Sequence, residues 1–178
     1  MRFPNTGAKL LLPLVLLMTA AAASGRAELS LKDLKGKRAR LDDYRGKIVV
    51  LNFWATWCGP CKDEMPRLVE AEKEYSGRGV VFVAASLDDK KAHDKIAVFV
   101  NEHQVGFPIW VGATTDDLDR LGMGPGLPAT AFVDEQGNVV ARVLGEVRQQ
   151  ELAERLDWLV RGRTGAQPAV LVNHLGDK

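Results

Sequence analysis

Cys58 and Cys61 are the only two cysteines in 178 residues, and two residues separate them. Sulfurs at that spacing can close a small disulfide ring and reopen it by thiolate attack, so the chemistry available is two-electron thiol–disulfide exchange. Both lie in the run Trp54-Ala55-Thr56-Trp57-Cys58-Gly59-Pro60-Cys61, directly after the apolar stretch Ile48 to Trp54. A buried strand ends there and a helix begins. Cys58 then takes the helix N-cap, where unpaired backbone N–H groups and the positive end of the dipole favour its thiolate. Cys61, about one turn inside, is expected to be more buried and less ionised. Cys58 is therefore the expected nucleophile and Cys61 the resolving thiol. Gly59 leaves the sulfur approachable, and Pro60 suits a first helical turn, where its missing N–H costs nothing.

Rival chemistries fit these residues less well. A zinc site needs a second set of ligands, and His93, His103 and His174 lack ligand spacing to the pair, so neither metal nor cofactor is expected. A static disulfide over so short a loop would constrain the unfolded chain little. Trp54 and Trp57 are expected to pack and shield the sulfurs. The Gly122-Met123-Gly124-Pro125-Gly126 loop precedes a strand instead of opening a helix, which argues against nucleotide binding.

The elements around the motif alternate between strand and helix. Leu29 to Leu41 suggests a short hairpin, and Ile48 to Trp54 a central strand covered on both faces. A helix is expected over Gly59–Tyr75, with Met65, Leu68 and Val69 inward, a kink at Pro66 and a stop at Ser76-Gly77-Arg78-Gly79. Val80 to Ala85 is a second buried strand. Lys90 to Gln104 places Ile96, Phe99, Val100 and His103 on one helical face. A short strand (Phe107 to Val111), a short helix (Asp116 to Leu121) and a hairpin (Ala129 to Asp134 with Asn138 to Leu144) follow. Arg148 to Arg161 closes the domain as a helix. The composition, 46% hydrophobic and 26% charged, fits one globular α/β domain and excludes collagen-like, wholly disordered and multi-pass membrane chains.

Residues 1–27 have the anatomy of a cleaved signal peptide: Arg2 and Lys9, the apolar stretch Leu10 to Ala23, then small residues, with cleavage after Ala23 or Ala27. An uncleaved membrane anchor is the weaker reading, because the apolar run is short for a bilayer. If residues 1 to 26 leave, Arg2, Lys9 and Arg26 go and no acid does. The balance shifts from 24 Lys+Arg against 23 Asp+Glu to 21 against 23, or −2. A near-neutral protein has no electrostatic case for nucleic acid. Residues 28–161 form the domain, and 162–178 are expected as a flexible tail in which Ala169 to Val172 has the alternative of docking as a short strand.

The segment Phe53 to Pro66 resembles the active-site stretch of thioredoxin-superfamily proteins of the TlpA-like branch, extracytoplasmic thiol–disulfide oxidoreductases that include cytochrome c maturation reductases. Leu41-Asp42-Asp43-Tyr44-Arg45-Gly46-Lys47 is similar to the same branch, and Leu127-Pro128-Ala129-Thr130 to Gly137 resembles the stretch carrying its cis-proline. The likeness runs from about Leu29 to Arg161. It implies a thioredoxin-like fold: a central mixed sheet flanked by helices, with an N-terminal β-hairpin and a central insertion at Asp88 to Leu121. It also implies a cis Pro128 packed on the sulfurs, with the Leu127 backbone free to pair with an extended substrate. Trp57, Gly59 and Pro60 would support the site. Asn52 stands where cytoplasmic thioredoxins carry a buried aspartate, so Glu64 and Asp63 become the candidate acid/base groups, with Lys62 near enough to tune the field.

The implied function is an exported, periplasmic reductant of specific protein disulfides. Gly-Pro between the cysteines is shared with reducing thioredoxins, whose potential lies near about −270 mV. The implied partners are disulfide-containing clients, such as apocytochrome c or copper-site proteins, and a membrane thiol–electron donor of the CcdA/DsbD type. A monomer is expected. The alternatives are a thiol oxidase or isomerase, a non-catalytic binding module, and a peroxiredoxin-related thiol peroxidase. The peroxidase needs a Pro-x-x-x-Thr-x-x-Cys setting that Thr56 and Cys58 do not supply.

Overall fold

A computed structural model describes residues 26–89 and 91–176; the expected signal peptide lies, apart from its last two residues, outside the described residues. The apolar run at its centre forms β3 (Ile48–Trp54), every residue of which is buried. β3 pairs in parallel with β4 (Val80–Ser86) and antiparallel with β6 (Ala129–Val133). Outward from β4 come β5 (Ile109–Val111) and the N-terminal hairpin of β1 (Ser30–Asp33) and β2 (Arg38–Arg40); outward from β6 come β7 (Val139–Leu144) and β8 (Leu171–Asn173). The result is one mixed eight-stranded sheet of order β2-β1-β5-β4-β3-β6-β7-β8.

The period-two alternation of a strand divides β3 between two cores. Ile48, Val50 and Trp54 face a layer built on α1 (Gly59–Tyr75), α2 (His93–Glu102) and α4 (Gln149–Val160). Val49, Leu51 and Phe53 face the opposite layer, with Leu41 and with Leu118 of α3 (Thr115–Arg120). Asn52 therefore points to the α1 side. The expected inner residues of α1 and α4, Met65, Leu68, Leu152, Leu156 and Leu159, are all buried. α1 runs unbroken through Pro66, whose missing N–H leaves only the Lys62 carbonyl without its helical donor. Gly79, at φ 82°, makes the left-handed turn into β4 that the Ser76 to Gly79 stop signal requires.

Two segments differ from expectation. Residues 171–173, placed in a flexible tail, form the edge strand β8, parallel to β7 with Arg142 opposite Leu171. Val172 packs toward the core and the buried Arg155 donates to the Ala169 carbonyl at 2.7 Å, so the docking alternative holds for this stretch. At the other end, Ala27 is buried and its N–H donates to the Gly137 carbonyl at 2.8 Å, while Arg26 bridges to Asn138. The folded domain thus begins by Arg26, earlier than residue 28.

Candidate active site

β3 delivers the chain to the motif, and the helix that follows positions both sulfurs. Cys58 is the N-cap of α1, in extended backbone conformation, and its Sγ accepts from the Cys61 N–H at 3.3 Å. A sulfur at this place satisfies one of the orphan donors of a helix start, the interaction that stabilises a thiolate once the bond is open. Cys58 and Cys61 form a disulfide. Cys61 is 0% exposed and Cys58 6%, so the outer sulfur is the one an incoming disulfide can reach.

The turn leading into the motif is held from outside it. The Asp88 carboxylate accepts from the Thr56 N–H at 2.9 Å, from the Thr56 hydroxyl at 2.6 Å and from the Ser86 hydroxyl at 2.8 Å. The Cys58 N–H donates to the Ala55 carbonyl, and the Leu87 N–H to the Trp54 carbonyl. The end of β4 thereby fixes the approach of β3 to Cys58. The sequence offered Asp88 only as the start of an insertion. An acidic residue two positions after the end of an apolar strand was the signal.

Glu64 lies three residues after Cys61, so it projects from the same side of α1, toward the sheet. It is fully buried: Oε1 accepts from the Asn52 amide at 2.6 Å and Oε2 from the Val147 N–H at 2.9 Å. Asn52 also donates to the Thr130 hydroxyl at 3.1 Å. Burial pushes the Glu64 carboxyl up from 4.5 to about 7, against the lowering effect of these two donors and of Arg67. Asp63 points to solvent, as does Lys62. Of the two candidate acid/base residues, only Glu64 is brought into the interior beside the motif.

Trp54 and Trp57 separate sharply. Trp54 is buried, its ring 4.4 Å from that of Phe99, whereas Trp57 is 69% exposed. The packing expected of Trp57 is therefore corrected: the turn at Thr56 directs it away from the sheet. At Gly59 a Cβ would meet open space, with no atom outside its own stretch of chain within 4 Å. Beside the disulfide lies a groove of about 640 Å³ lined by Trp57, Cys58, Pro60, Leu87, Pro125 and Leu127, among others. The Leu127–Pro128 peptide bond is cis, and the Pro128 carbonyl accepts from the Gly145 N–H at 2.8 Å. Among the described residues no group of three or more His, Cys, Asp or Glu is placed to hold a metal ion.

A buried, disulfide-forming Cys-x-x-Cys at a strand-to-helix turn, with a cis-proline loop across a groove, agrees with what known proteins show. The AhpC/TSA family matches residues 25–142, which contain β1 to β6, the whole of α1 to α3, and the whole motif. The chain belongs to the AhpC/TSA family. One similar protein in sequence is the thiol-disulfide oxidoreductase ResA of Bacillus thuringiensis (strain Al Hakam), 38% identical over 120 residues, 67% of this chain and 68% of that protein. Among solved structures, DsbF of MTB, in its mixed oxidized and reduced forms, is 32% identical with a TM-score of 0.65, over 75% of this chain and 96% of the other. A secreted Mycobacterium tuberculosis disulfide oxidoreductase homologous to E. coli DsbE is 25% identical with a TM-score of 0.64, over 75% and 98%. Within this AhpC/TSA-family chain, the matched segment ends at Arg142, inside β7 and before α4 and β8.

Proposed function

We propose that this thiol–disulfide oxidoreductase works as an exported reductant of protein disulfides. The observation that carries the reading is the asymmetry of the Cys58–Cys61 pair: one sulfur capping a helix at the mouth of a groove, the other wholly buried behind it. In the reduced protein the Cys58 thiolate attacks one sulfur of a client disulfide. The client S–S bond breaks, a mixed disulfide forms, and the departing client thiolate takes a proton from water. The Cys61 thiol then loses its proton and attacks Cys58 Sγ, which re-forms the Cys58–Cys61 disulfide and releases the second client thiolate. Two electrons pass from the protein to the client.

Glu64 is the proton acceptor for Cys61 in this scheme, because burial matches its pKa to neutral pH, and Asn52 and Val147 orient its two oxygens. The Leu127 backbone at the groove edge pairs with an extended client segment, so clients are bound largely through main chain. Trp57 gives that groove an exposed aromatic wall. An exported reductant works against an oxidising compartment and must be recharged, for which a membrane thiol–electron donor of the CcdA/DsbD type is the partner. Client chemistry is that of small Cys-x-x-Cys disulfides, as in apocytochrome c, or of copper-site cysteines.

Export is supported by the secreted relative and by the Arg2-to-Ala23 segment. Burial of Ala27 in the folded domain favours cleavage after Ala23, with Ser24 as the first mature residue. The deciding experiment replaces Cys61 by Ala and isolates covalent complexes from the producing cell. Mixed disulfides trapped on Cys58 are expected, together with a wild-type potential near about −270 mV; a value near about −120 mV would make the protein an oxidant.

A further inference from the structure

The chain beyond α4 does more than cap an edge of the sheet. After Arg155 engages the Ala169 carbonyl, the Val170 carbonyl accepts from Arg142 N–H at 2.8 Å, and β8 runs beside β7. The His174 N–H donates to the Leu144 carbonyl at 2.6 Å, and the His174 ring nitrogen Nε2 lies 2.8 Å from Glu151 Oε1. These contacts bring the strap to the loop that precedes the cis peptide.

Two separate contacts reach that loop. Leu175 is so close over Gly126 that a Cβ there would lie 2.4 Å from Leu175 Cδ1. The His174 backbone presses on Gly145, where a Cβ would lie 2.8 Å from the His174 carbonyl carbon, and Gly145 is the residue whose N–H holds the Pro128 carbonyl. The loop's other end is tied by Arg142, whose Nε donates to the Leu121 carbonyl at 2.6 Å. Gly126 and Gly145 thus flank the Leu127–Pro128 edge on either side, and residues of one strap rest on both.

We propose that the 169–176 strap is a positioning element for client binding: Leu175 and His174 fix the Leu127–Pro128 edge at the depth where an extended client segment can pair beside Cys58. The strap does not touch the sulfurs, and its effect is confined to substrates that use the groove edge. A small disulfide reaching Cys58 directly is indifferent to it. The family match ends at Arg142, so this device belongs to the part of the chain that the matched segment does not include.

The inference rests on the reductase reading, and one experiment separates the two. Reduced full-length wild type, Leu175→Ala and Leu175→Met are mixed with a synthetic peptide carrying one Cys-x-x-Cys disulfide and, separately, with 5,5′-dithiobis(2-nitrobenzoate). Leu175 is 40% exposed, so both variants retain the fold, which a melting curve checks. The peptide rate constant is expected to fall at least fivefold in Leu175→Ala, with the aromatic disulfide rate unchanged and Leu175→Met restoring the peptide rate. Equal peptide rates in wild type and Leu175→Ala overturn the inference and leave the reductase reading intact. A parallel fall for both disulfides, tracking a lowered melting temperature, also overturns it, since that is the mark of a merely structural strap. A wild type that reduces neither compound overturns both.

Discussion

Glu64 holds a proton over a range in which the unfolded chain has released it. Its carboxyl titrates near about 7 in the fold because burial outweighs the Asn52 and Val147 donors, against an ordinary 4.5. Native protein therefore binds more protons than unfolded protein between these values. The contribution to stability is complete below about pH 4.5 and is lost as pH rises through about 7, by about 3 kcal/mol in all. Urea unfolding from pH 4.5 to 7.5 is expected to show this decline in wild type and a flat profile in Glu64→Gln. The substitution also replaces one of the two acceptor oxygens, which serve Asn52 and Val147, by an NH2 donor, a constant offset that leaves the slope as the diagnostic. In single-turnover reduction of a disulfide peptide near pH 7, Glu64→Gln is expected to slow the resolving step roughly 10²-fold while the first attack by Cys58 keeps its rate. Equal slowing of both steps would remove Glu64 from the role of acceptor for Cys61.

Among the elements, the β4 terminus and the motif turn act as one unit through Asp88, which gathers three donors from Thr56 and Ser86. Asp88→Ala leaves these groups without their acceptor in the interior and is expected to cost about 2–4 kcal/mol in urea unfolding at unchanged m-value, with Asp88→Asn costing about half as much. Which elements the sequence reveals follows from how each is encoded. β3 and α1 lie where the residues place them, because Ile48 to Trp54 is a continuous apolar run and Pro60 and the Gly77–Gly79 stop mark the helix ends. α2 begins at His93, later than expected, since Ala92 gives its N-terminus no side-chain cap. β8 is three residues between Gly- and Pro-containing segments, too short to show a period, and its place is decided by Arg155 and β7. Spacing revealed the two sulfurs and their unequal burial. It did not reveal the outward swing of Trp57, whose turn Asp88 holds, or that Asn52 and Val147 meet Glu64 inside.

For the whole molecule, the sheet is closed at one edge by the N-terminal hairpin and at the other by β8. The proposed export, with Ala27 already part of the fold, predicts a mature protein that starts at Ser24. N-terminal sequencing of secreted material checks this, and a start at Glu28 would contradict it. The Cys58–Cys61 ring spans three residues of sequence separation, so opening it releases little chain entropy. Reduction by excess dithiothreitol is expected to shift the melting temperature by no more than a few degrees, and cooperative unfolding should survive. The two indoles flanking the turn are placed in opposite surroundings: Trp54 is dry and packed at a tilt against Phe99, and Trp57 stands in water next to Cys58 in sequence. An intact disulfide quenches the emission of a neighbouring indole. Opening it should brighten the red, solvent-exposed component while the blue one stays constant, so the protein carries an intrinsic optical gauge of its own redox state.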